Sequence, residues 1–436
     1  MFQVLANTRF ATLFAAQVVA LLGTGLLTIA LALLAYDLAG NAAGSVLGTA
    51  LTIKMIAYVG LAPVAQAVVA RLPRKTVMIG ADLIRAVVAL CLPFVDAVWQ
   101  IYGLIFVLQA ASATFTPSFQ ALVPDILPDE DDYTHALSLS RMAYELENIA
   151  SPVLAGFLLT LVSFHWLFLG TVAGFVGSAL LVMQVPMPAR DPVRTERSFT
   201  ARLSQGWRIF AATPRLRGLM ALNLAVAAAG AFVIVNTVVA VRGIGTDVAG
   251  AMFALGIGAI CTAIIVPRVL KAVSDRTLMT AAAGGLAGTM VGMTAFLLSL
   301  SALPLELIWI IWAIIGALQA AVMTPTGRIL QRSVHAEDRP AIFTAQFAAS
   351  HACWLLTYPI AGWIGAVFGL APSAAVLALL ALIGAIAAPR LWPRDTRLPE
   401  RHDHPDLPSD HPHLRAHDRA HAHPIIIDDI HRTWPR

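Results

Sequence analysis

Residues 10–36 read FATLFAAQVVALLGTGLLTIALALLAY, an unbroken apolar stretch without a charged side chain. About 20 such residues in a helix cross the hydrocarbon core of a bilayer, which is about 30 Å thick. Inside lipid the backbone must satisfy its own hydrogen bonds, so this stretch predicts a transmembrane helix. It is too long for the apolar core of a signal peptide, and we expect it to be retained.

Similar apolar stretches recur along all 436 residues. Hydrophobic residues make up 58% of the chain and charged residues only 12%, with a mean hydropathy of +0.76. A soluble domain is about a quarter charged, so the composition argues against a soluble enzyme. We predict an all-α membrane protein with twelve transmembrane helices. Their expected positions are 10–36, 44–70, 77–97, 101–123, 134–160, 165–185, 217–241, 248–267, 277–300, 305–326, 342–367 and 372–389.

Basic residues concentrate in the loops that follow even-numbered spans, such as Arg74 and Lys75 after span two and Lys271 after span eight. The positive-inside rule then predicts a multi-pass protein of the bacterial inner (cell) membrane with both termini in the cytoplasm. Because most basic residues flank membrane spans, the net charge of +4 gives no reason to expect a nucleic-acid partner. One loop of this set is acidic instead. It holds Asp125, Asp129, Glu130, Asp131 and Asp132.

The chain repeats itself at an offset of about 207 residues. Thr116-Pro117 matches Thr324-Pro325, and Pro152 matches Pro359. Two parallel halves of six spans are typical of secondary transporters that rock around a central site. We predict an N-terminal bundle at 1–185, a basic cytoplasmic linker at 186–216, a C-terminal bundle at 217–390 and a cytoplasmic tail at 391–436. The sequence contains no G-x-x-x-x-G-K-[ST] motif, so we expect neither ATP-driven transport nor a cofactor.

Three motifs carry a family resemblance. They are Arg71-Leu72-Pro73-Arg74-Lys75 after span two, Asp82-Leu83-Ile84-Arg85 in span three, and Thr116-Pro117 through Pro124-Asp125. Together they resemble the Major Facilitator Superfamily, and in particular its siderophore and macrolide exporters. The resemblance implies a fold of two six-helix bundles, with span two packed beside span eleven. We expect the protein to be a monomer.

The tail differs from the rest of the chain, because it is polar and holds eight of the twelve histidines. Imidazole suits nickel, copper and zinc, and His-x-His pairs in extended chain could chelate one ion each. The alternative is a solvated tail of biased composition that binds nothing. We expect the tail to be disordered. The predicted metal ligands are His402, His404, His411, His413, His417, His421 and His423. With this tail, the chain resembles the nickel-resistance exporters of the same superfamily.

Charged residues inside the predicted spans are the candidates for the transport pathway, since each costs about 2.5–3.5 kcal/mol on insertion scales. Lys54 lies in span two, Arg141, Glu145 and Glu147 lie in span five, and His351 lies in span eleven. Glu145 and His351 lie at similar depth in corresponding helices, so this carboxylate and this imidazole could bind a metal ion and protons in turn. The alternative reading is structural: Glu145 pairs with Arg141, and His351 binds a neighbouring backbone or hydroxyl group.

Asn236 in span seven is a further pathway candidate, although it could instead hold helices together. From these residues we predict export of a divalent transition metal, nickel and then cobalt, in exchange for protons. Export of a drug or siderophore is the alternative. A metal-storage or sensing protein with a membrane anchor is a third reading, which twelve repeated spans do not favour.

Overall fold

The computed structural model describes most of the chain. The described residues are 2–39, 43–69, 72–186, 199–241, 245–300, 303–394, 400–403, 420–423, 425–428, 430–431 and 433–434. Nearly all of them are helical, and we number the helices α1 to α16 and the strands β1 and β2.

The first half of the described chain is built from seven helices. They are α1 (Thr8–Ala39), α2 (Ala43–Ile56), α3 (Ala62–Val69), α4 (Arg74–Cys91), α5 (Val98–Ile126), α6 (Glu130–Leu159) and α7 (His165–Gln184). The predicted linker contains one more helix, α8 (Phe199–Ala212), and its residues 187–198 lie outside the described chain.

The second half repeats this arrangement. Its helices are α9 (Pro214–Val241), α10 (Gly245–Ala272), α11 (Asp275–Ser299), α12 (Leu305–Met323), α13 (Thr326–Gln331), α14 (Arg339–Pro359), α15 (Gly365–Phe368) and α16 (Leu370–Leu391). The strands β1 (Glu400–Asp403) and β2 (Ala420–His423) follow in the tail.

Within the described residues, 11 helical stretches are long and apolar enough to cross a membrane. They correspond to eleven of the twelve predicted spans. The other one, 134–160, corresponds to α6, a 30-residue helix that carries Arg141, Glu145 and Glu147 along its length. The all-helical membrane fold is therefore confirmed, and the count of twelve spans stays a prediction.

The packing of the two halves follows the repeat in the sequence. In the first half, α7 packs against α1 and α4. In the second half, α16 packs against α9 and α11. Likewise, α2 packs against α5 in the first half, and α10 packs against α12 in the second half. Corresponding helices of the two halves therefore make corresponding contacts.

Small residues allow the closest of these contacts. A Cβ added to Gly174 of α7 would lie 2.9 Å from the Cα of Gly23 and 3.0 Å from the carbonyl oxygen of Val19, both in α1. Packing without a side chain lets two membrane helices approach until their backbones touch. The small residues of the sixth span, where Gly170 and Gly174 stand four apart, thus serve helix contact.

Two helices that face each other across the halves contain a single wide π turn. One turn, Ala57–Leu61, joins α2 to α3, and the other, Ile360–Ile364, follows α14. A proline lies beside each turn, Pro63 and Pro359, and a proline cannot donate the backbone hydrogen bond of a regular helix. Such turns are frequent at functional sites. Since α14 packs against α2, α3 and the first π turn, the expected proximity of spans two and eleven is confirmed.

Both ends of the described chain lie at the same end of the bundle. Val4 shares an apolar core with Tyr133, which follows the acidic loop, and Asp428 contacts His335 in the loop before α14. The arginine-rich and lysine-rich loops lie there too, and we call this the basic end. Its orientation toward the cytoplasm stays a prediction.

The disorder predicted for the tail is not confirmed, because the described parts of the tail include paired strands and buried residues. β1 and β2 pair as antiparallel strands, with His402 opposite His421 and Glu400 opposite His423. Beyond them, Ile425 and Ile427 are 2% and 1% exposed. The reason is the apolar run Ile425-Ile426-Ile427, which stabilises the folded state when it leaves water. A polar composition on both sides of this run had concealed it.

Candidate transport site

A cluster of aromatic and basic side chains lies where the two halves meet. The ring of Tyr58, in the first π turn, packs edge-on against His351 of α14 with 4.7 Å between ring centroids. Phe347, one helical turn before His351, packs against both rings at 4.8 and 4.2 Å. The Nζ of Lys54 lies 5.6 Å from the centroid of the Tyr58 ring. These four residues form what we call the aromatic cluster.

The local helix geometry explains this arrangement. Lys54 and Tyr58 are four residues apart, so they share one helix face, and Phe347 and His351 share a face in the same way. Cations attract the faces of aromatic rings, which holds the ammonium beside Tyr58. The cluster therefore joins the N-terminal half to the C-terminal half through spans two and eleven.

The Nδ1 of His351 has two neighbours at hydrogen-bonding distance, of which the Oγ of Ser350 is the more distant at 3.4 Å. The nearer neighbour is the carbonyl oxygen of Phe347 at 2.7 Å. A carbonyl oxygen only accepts, so Nδ1 carries the proton, and the Nε2 of a neutral ring is left as an acceptor. This is the backbone contact that the structural reading predicted. It also orients the ring so that the second nitrogen can serve another partner.

The two carboxylates of α6 have different partners. Glu145, 4% exposed, forms a salt bridge with Arg141 one turn earlier on the same helix. The predicted Arg141–Glu145 pairing is therefore confirmed. Glu147 is half-buried and interacts electrostatically with Lys54, which also acts on His351. Of the two carboxylates, Glu147 is the one that shares Lys54 with the aromatic cluster.

A glycine in α1 makes room for Glu147. A Cβ on Gly25 would lie 1.9 Å from the Oγ of Ser151 and 2.8 Å from the Oε1 of Glu147. Any larger residue would displace the carboxylate. Next to this glycine, Thr24 returns its hydroxyl to the backbone of its own helix, at 2.9 Å from the carbonyl oxygen of Ala20.

Asn236 holds helices together. Its Nδ2 donates to the carbonyl oxygen of Ala361 at 3.2 Å and lies 3.5 Å from the Oγ of Ser373. The side chain is 4% exposed and contacts the second π turn and α16. Its role in the pathway, as predicted from the sequence, remains untested, and its contacts are those of a structural residue.

The acidic loop that broke the charge pattern binds the other half of the protein. Glu130 forms salt bridges with Arg328 and Arg332, and Arg328 also donates to the Oγ1 of Thr134 at 2.8 Å. Asp275 of α11 accepts from Arg332 at 2.6 Å. Only 8% of the Arg328 side chain is exposed. We call this set of residues the inter-half clamp.

Two further bridges support the clamp. Asp125 binds Arg74 of its own half at 2.5 Å and also forms a salt bridge with Arg339 of the other half. Lys271 lies 3.1 Å from Asp131, and both side chains are about 60% exposed. The two halves are thus held together at the basic end.

The predicted tail ligands cannot be placed as a site. His404, His411, His413 and His417 lie outside the described residues. His402, His421 and His423 are described only by the register of their strands. Among residues whose side chains the structure describes, no group of three His, Cys, Asp or Glu residues could hold a metal ion.

Two pseudo-symmetric helical bundles that meet at a polar, aromatic-lined cluster define a secondary membrane transporter and not an enzyme. Residues 13–305 match the family model described as Major Facilitator Superfamily, so the chain belongs to that superfamily.

Named relatives agree with this assignment. The chain is 27% identical over 223 residues to macrolide efflux protein A of Streptococcus pyogenes, an alignment that covers 50% of this chain and 54% of that protein. It is 26% identical over 339 residues to the uncharacterized transporter YfiS of Bacillus subtilis, covering 74% and 80% of the two chains. The human organic anion transporter MFSD10 shares the fold, with a TM-score of 0.70 at 14% identity over 88% of this chain and 99% of its own.

Sequence reasoning missed Tyr58, Phe347 and the clamp. The signal for Tyr58 was its spacing of four residues from Lys54 in a span beside span eleven. The sequence signal for the clamp was the acidic loop. Carboxylates at the otherwise basic end favour salt bridges with nearby arginines, and these arginines belong to the other half.

Proposed function

We propose that this transporter exports divalent transition-metal ions, nickel first and cobalt second, in exchange for protons. The observation that carries the proposal is the tail, which holds eight of the chain's twelve histidines. Its two strands pair in a register that sets His402 opposite His421, so histidines distant in sequence come to adjacent strands. Imidazole is a suitable ligand for nickel.

Glu147 and His351 are the proposed pathway groups, and Lys54 is a resident cation between them. In the empty site the ammonium of Lys54 compensates the charge of Glu147. An arriving metal ion takes over that compensation and uses the free Nε2 of His351 as a ligand. Because the described residues hold no cluster of three ligands, water completes the coordination shell and binding stays weak enough for release.

Protons compete for the same groups. Once the site faces the opposite side, a proton that binds Glu147 or His351 removes a ligand of the ion. Glu145 takes no part, because Arg141 already binds it. Alternation requires the inter-half clamp at the basic end to open and close.

A second candidate cargo is an organic compound such as a macrolide. Two observations favour it: the efflux relatives, and the rings of Tyr58 and Phe347, which suit an apolar substrate. In that case the tail binds metal without contributing to transport.

Everted vesicles containing the intact protein separate the two cargoes. Nickel or cobalt should drive proton movement in wild type, and Glu147→Gln should abolish it. The matched control is Glu306→Gln, which makes the same change at an exposed position and should retain the signal. Proton movement with a macrolide and none with any metal would select the second candidate.

A further inference from the structure

The last residues of the chain dock on the C-terminal half. We call the described residues 425–428, 430–431 and 433–434 the C-terminal strap. Ile425 and Ile427 belong to the same buried core as Val334 and Trp392, and Trp434 packs against that core. A segment that buries two isoleucines is held by the hydrophobic effect.

One carboxylate organises the strap. An Oδ of Asp428 accepts the backbone N–H groups of Ile430 at 2.8 Å and His431 at 2.6 Å, and lies 3.1 Å from the Nδ1 of His431. The backbone N–H of Asp428 donates to the carbonyl oxygen of His431 at 3.1 Å. The strap therefore has a defined turn.

The other oxygen of Asp428 faces the transporter. It lies 3.6 Å from the Nε2 of His335, in the loop that joins α13 to α14. The same loop carries Arg332 and ends at Arg339, the first residue of α14, and both arginines bind acidic groups of the N-terminal half. The strap thus rests on the segment that closes the basic end.

We propose that the C-terminal strap is a releasable lock on the inter-half clamp, and that its contact with His335 makes docking depend on pH. The docked strap holds the α13–α14 loop in the arrangement that binds the N-terminal half. Its release lowers the free energy needed to open the basic end. This role concerns alternating access itself and does not depend on which cargo is carried.

The charges around His335 give the direction of the pH response. The contact with the Asp428 carboxylate raises the pKa of His335 above its ordinary value, burial opposes this, and the charges of Asp428, Asp338 and Glu337 raise it further. A group with a raised pKa in the docked state contributes its full stabilisation below the pKa of the free group, about 6.5 for histidine. That contribution is lost as the pH rises through the raised pKa.

Asp428 remains charged throughout this range. Burial alone would raise its pKa, but the contact with His335 and the hydrogen bonds from His431 hold the pKa well below the ordinary value. Acid therefore does not undock the strap near neutral pH, and His335 is the titrating partner. We expect tight docking near pH 6 and looser docking near pH 8.

Hydrogen exchange of the full-length protein tests the lock without any substrate. After correction for the intrinsic rate, protection of the peptide around Ile425 to His431 should fall about two- to tenfold between pH 6 and pH 8. His335→Gln should abolish this pH dependence. Ile427→Asp should remove protection at both pH values and also reduce protection of the loop at 332–339.

Helices far from the strap, such as α1, serve as the control for folding in each variant. A wild-type strap equally protected at pH 6 and pH 8 overturns the pH response, as does an unchanged response in His335→Gln. A loop at 332–339 that stays fully protected in Ile427→Asp overturns the lock. None of these outcomes depends on metal export, so failure here and failure of the proposed cargo are distinguishable.

Discussion

Glu130 binds two arginines of the other half at the basic end, and its replacement by glutamine tests the inter-half clamp. The change removes a carboxylate that Arg328 and Arg332 share while leaving Asp275 to both arginines. Breaking a buried ion pair costs about 3–5 kcal/mol and breaking an exposed pair about 0–1 kcal/mol. The Glu130 side chain is 44% exposed and that of Arg328 8% exposed, so the pair lies between these limits.

We therefore expect Glu130→Gln to destabilise the closed arrangement by about 1–2 kcal/mol, which changes the ratio of closed to open forms by about 5- to 30-fold. Spin labels at Asp132→Cys and Ala272→Cys, on opposite halves and exposed, report the separation of the halves. The native cysteines are replaced in these variants, so that only the two introduced cysteines carry a spin label. The expected result is a new long-distance population in Glu130→Gln.

Asp131→Asn is the matched control. Its partner Lys271 and Asp131 itself are about 60% exposed, so losing this bridge should cost about 0–0.5 kcal/mol and leave the distances nearly unchanged. Burial does not decide which bridge holds the halves together if the label distances change equally in the two variants, or if they do not change in Glu130→Gln.

Other predictions concern packing. A Cβ on Gly316 of α12 would lie 2.0 Å from the carbonyl oxygen of Leu255, so Gly316→Ala should destabilise the protein by about 1–3 kcal/mol. The control is Gly288→Ala, which should leave the stability unchanged because a Cβ there has no neighbour within 4 Å. Thermal unfolding of the two variants in detergent compares them. Asp82→Asn removes the carboxylate that binds Arg85 inside the first half, where both are at most 5% exposed. It should lower the yield of folded protein, measured by size-exclusion chromatography; an unchanged yield would contradict a structural role for the pair.

The bundle was predictable from the sequence because the lipid solvent forces long apolar helices, and because Thr116-Pro117 and Thr324-Pro325 mark the two repeats. Helix α6 shows the limit of that argument. Its charged residues keep it from matching the composition of a membrane span, yet it is a helix of 30 residues in the place predicted for span five. There the repeat was a better guide than hydropathy.

The candidate site was predictable only in part. Residue types alone made Lys54, Glu145, Glu147 and His351 candidates, since charge inside a span is costly, and the sequence favoured Glu145 as the partner of His351. The division of roles between Glu145 and Glu147 needed coordinates, because the facing of each residue depends on how α6 packs. The two π turns also change the side of spans two and eleven on which each following residue lies. A regular helical period read from the sequence does not include such turns.

The C-terminal strap was missed for a different reason. Ile425-Ile426-Ile427 is a short apolar run within a tail whose overall composition is polar. Composition averages over the tail and hides a segment of three residues, while burial depends on those residues alone. A triplet of large apolar residues next to Asp428-Asp429 was the available signal for docking.

We propose that Glu147 couples proton movement to export of a metal ion. Metal-driven proton flux in everted vesicles, measured with nickel for wild type, Glu147→Gln and Glu306→Gln, is the direct test of this coupling. We expect a nickel-dependent signal that is absent only in Glu147→Gln. A signal of wild-type size in Glu147→Gln, or no signal with nickel or cobalt in correctly inserted wild-type protein, would contradict it.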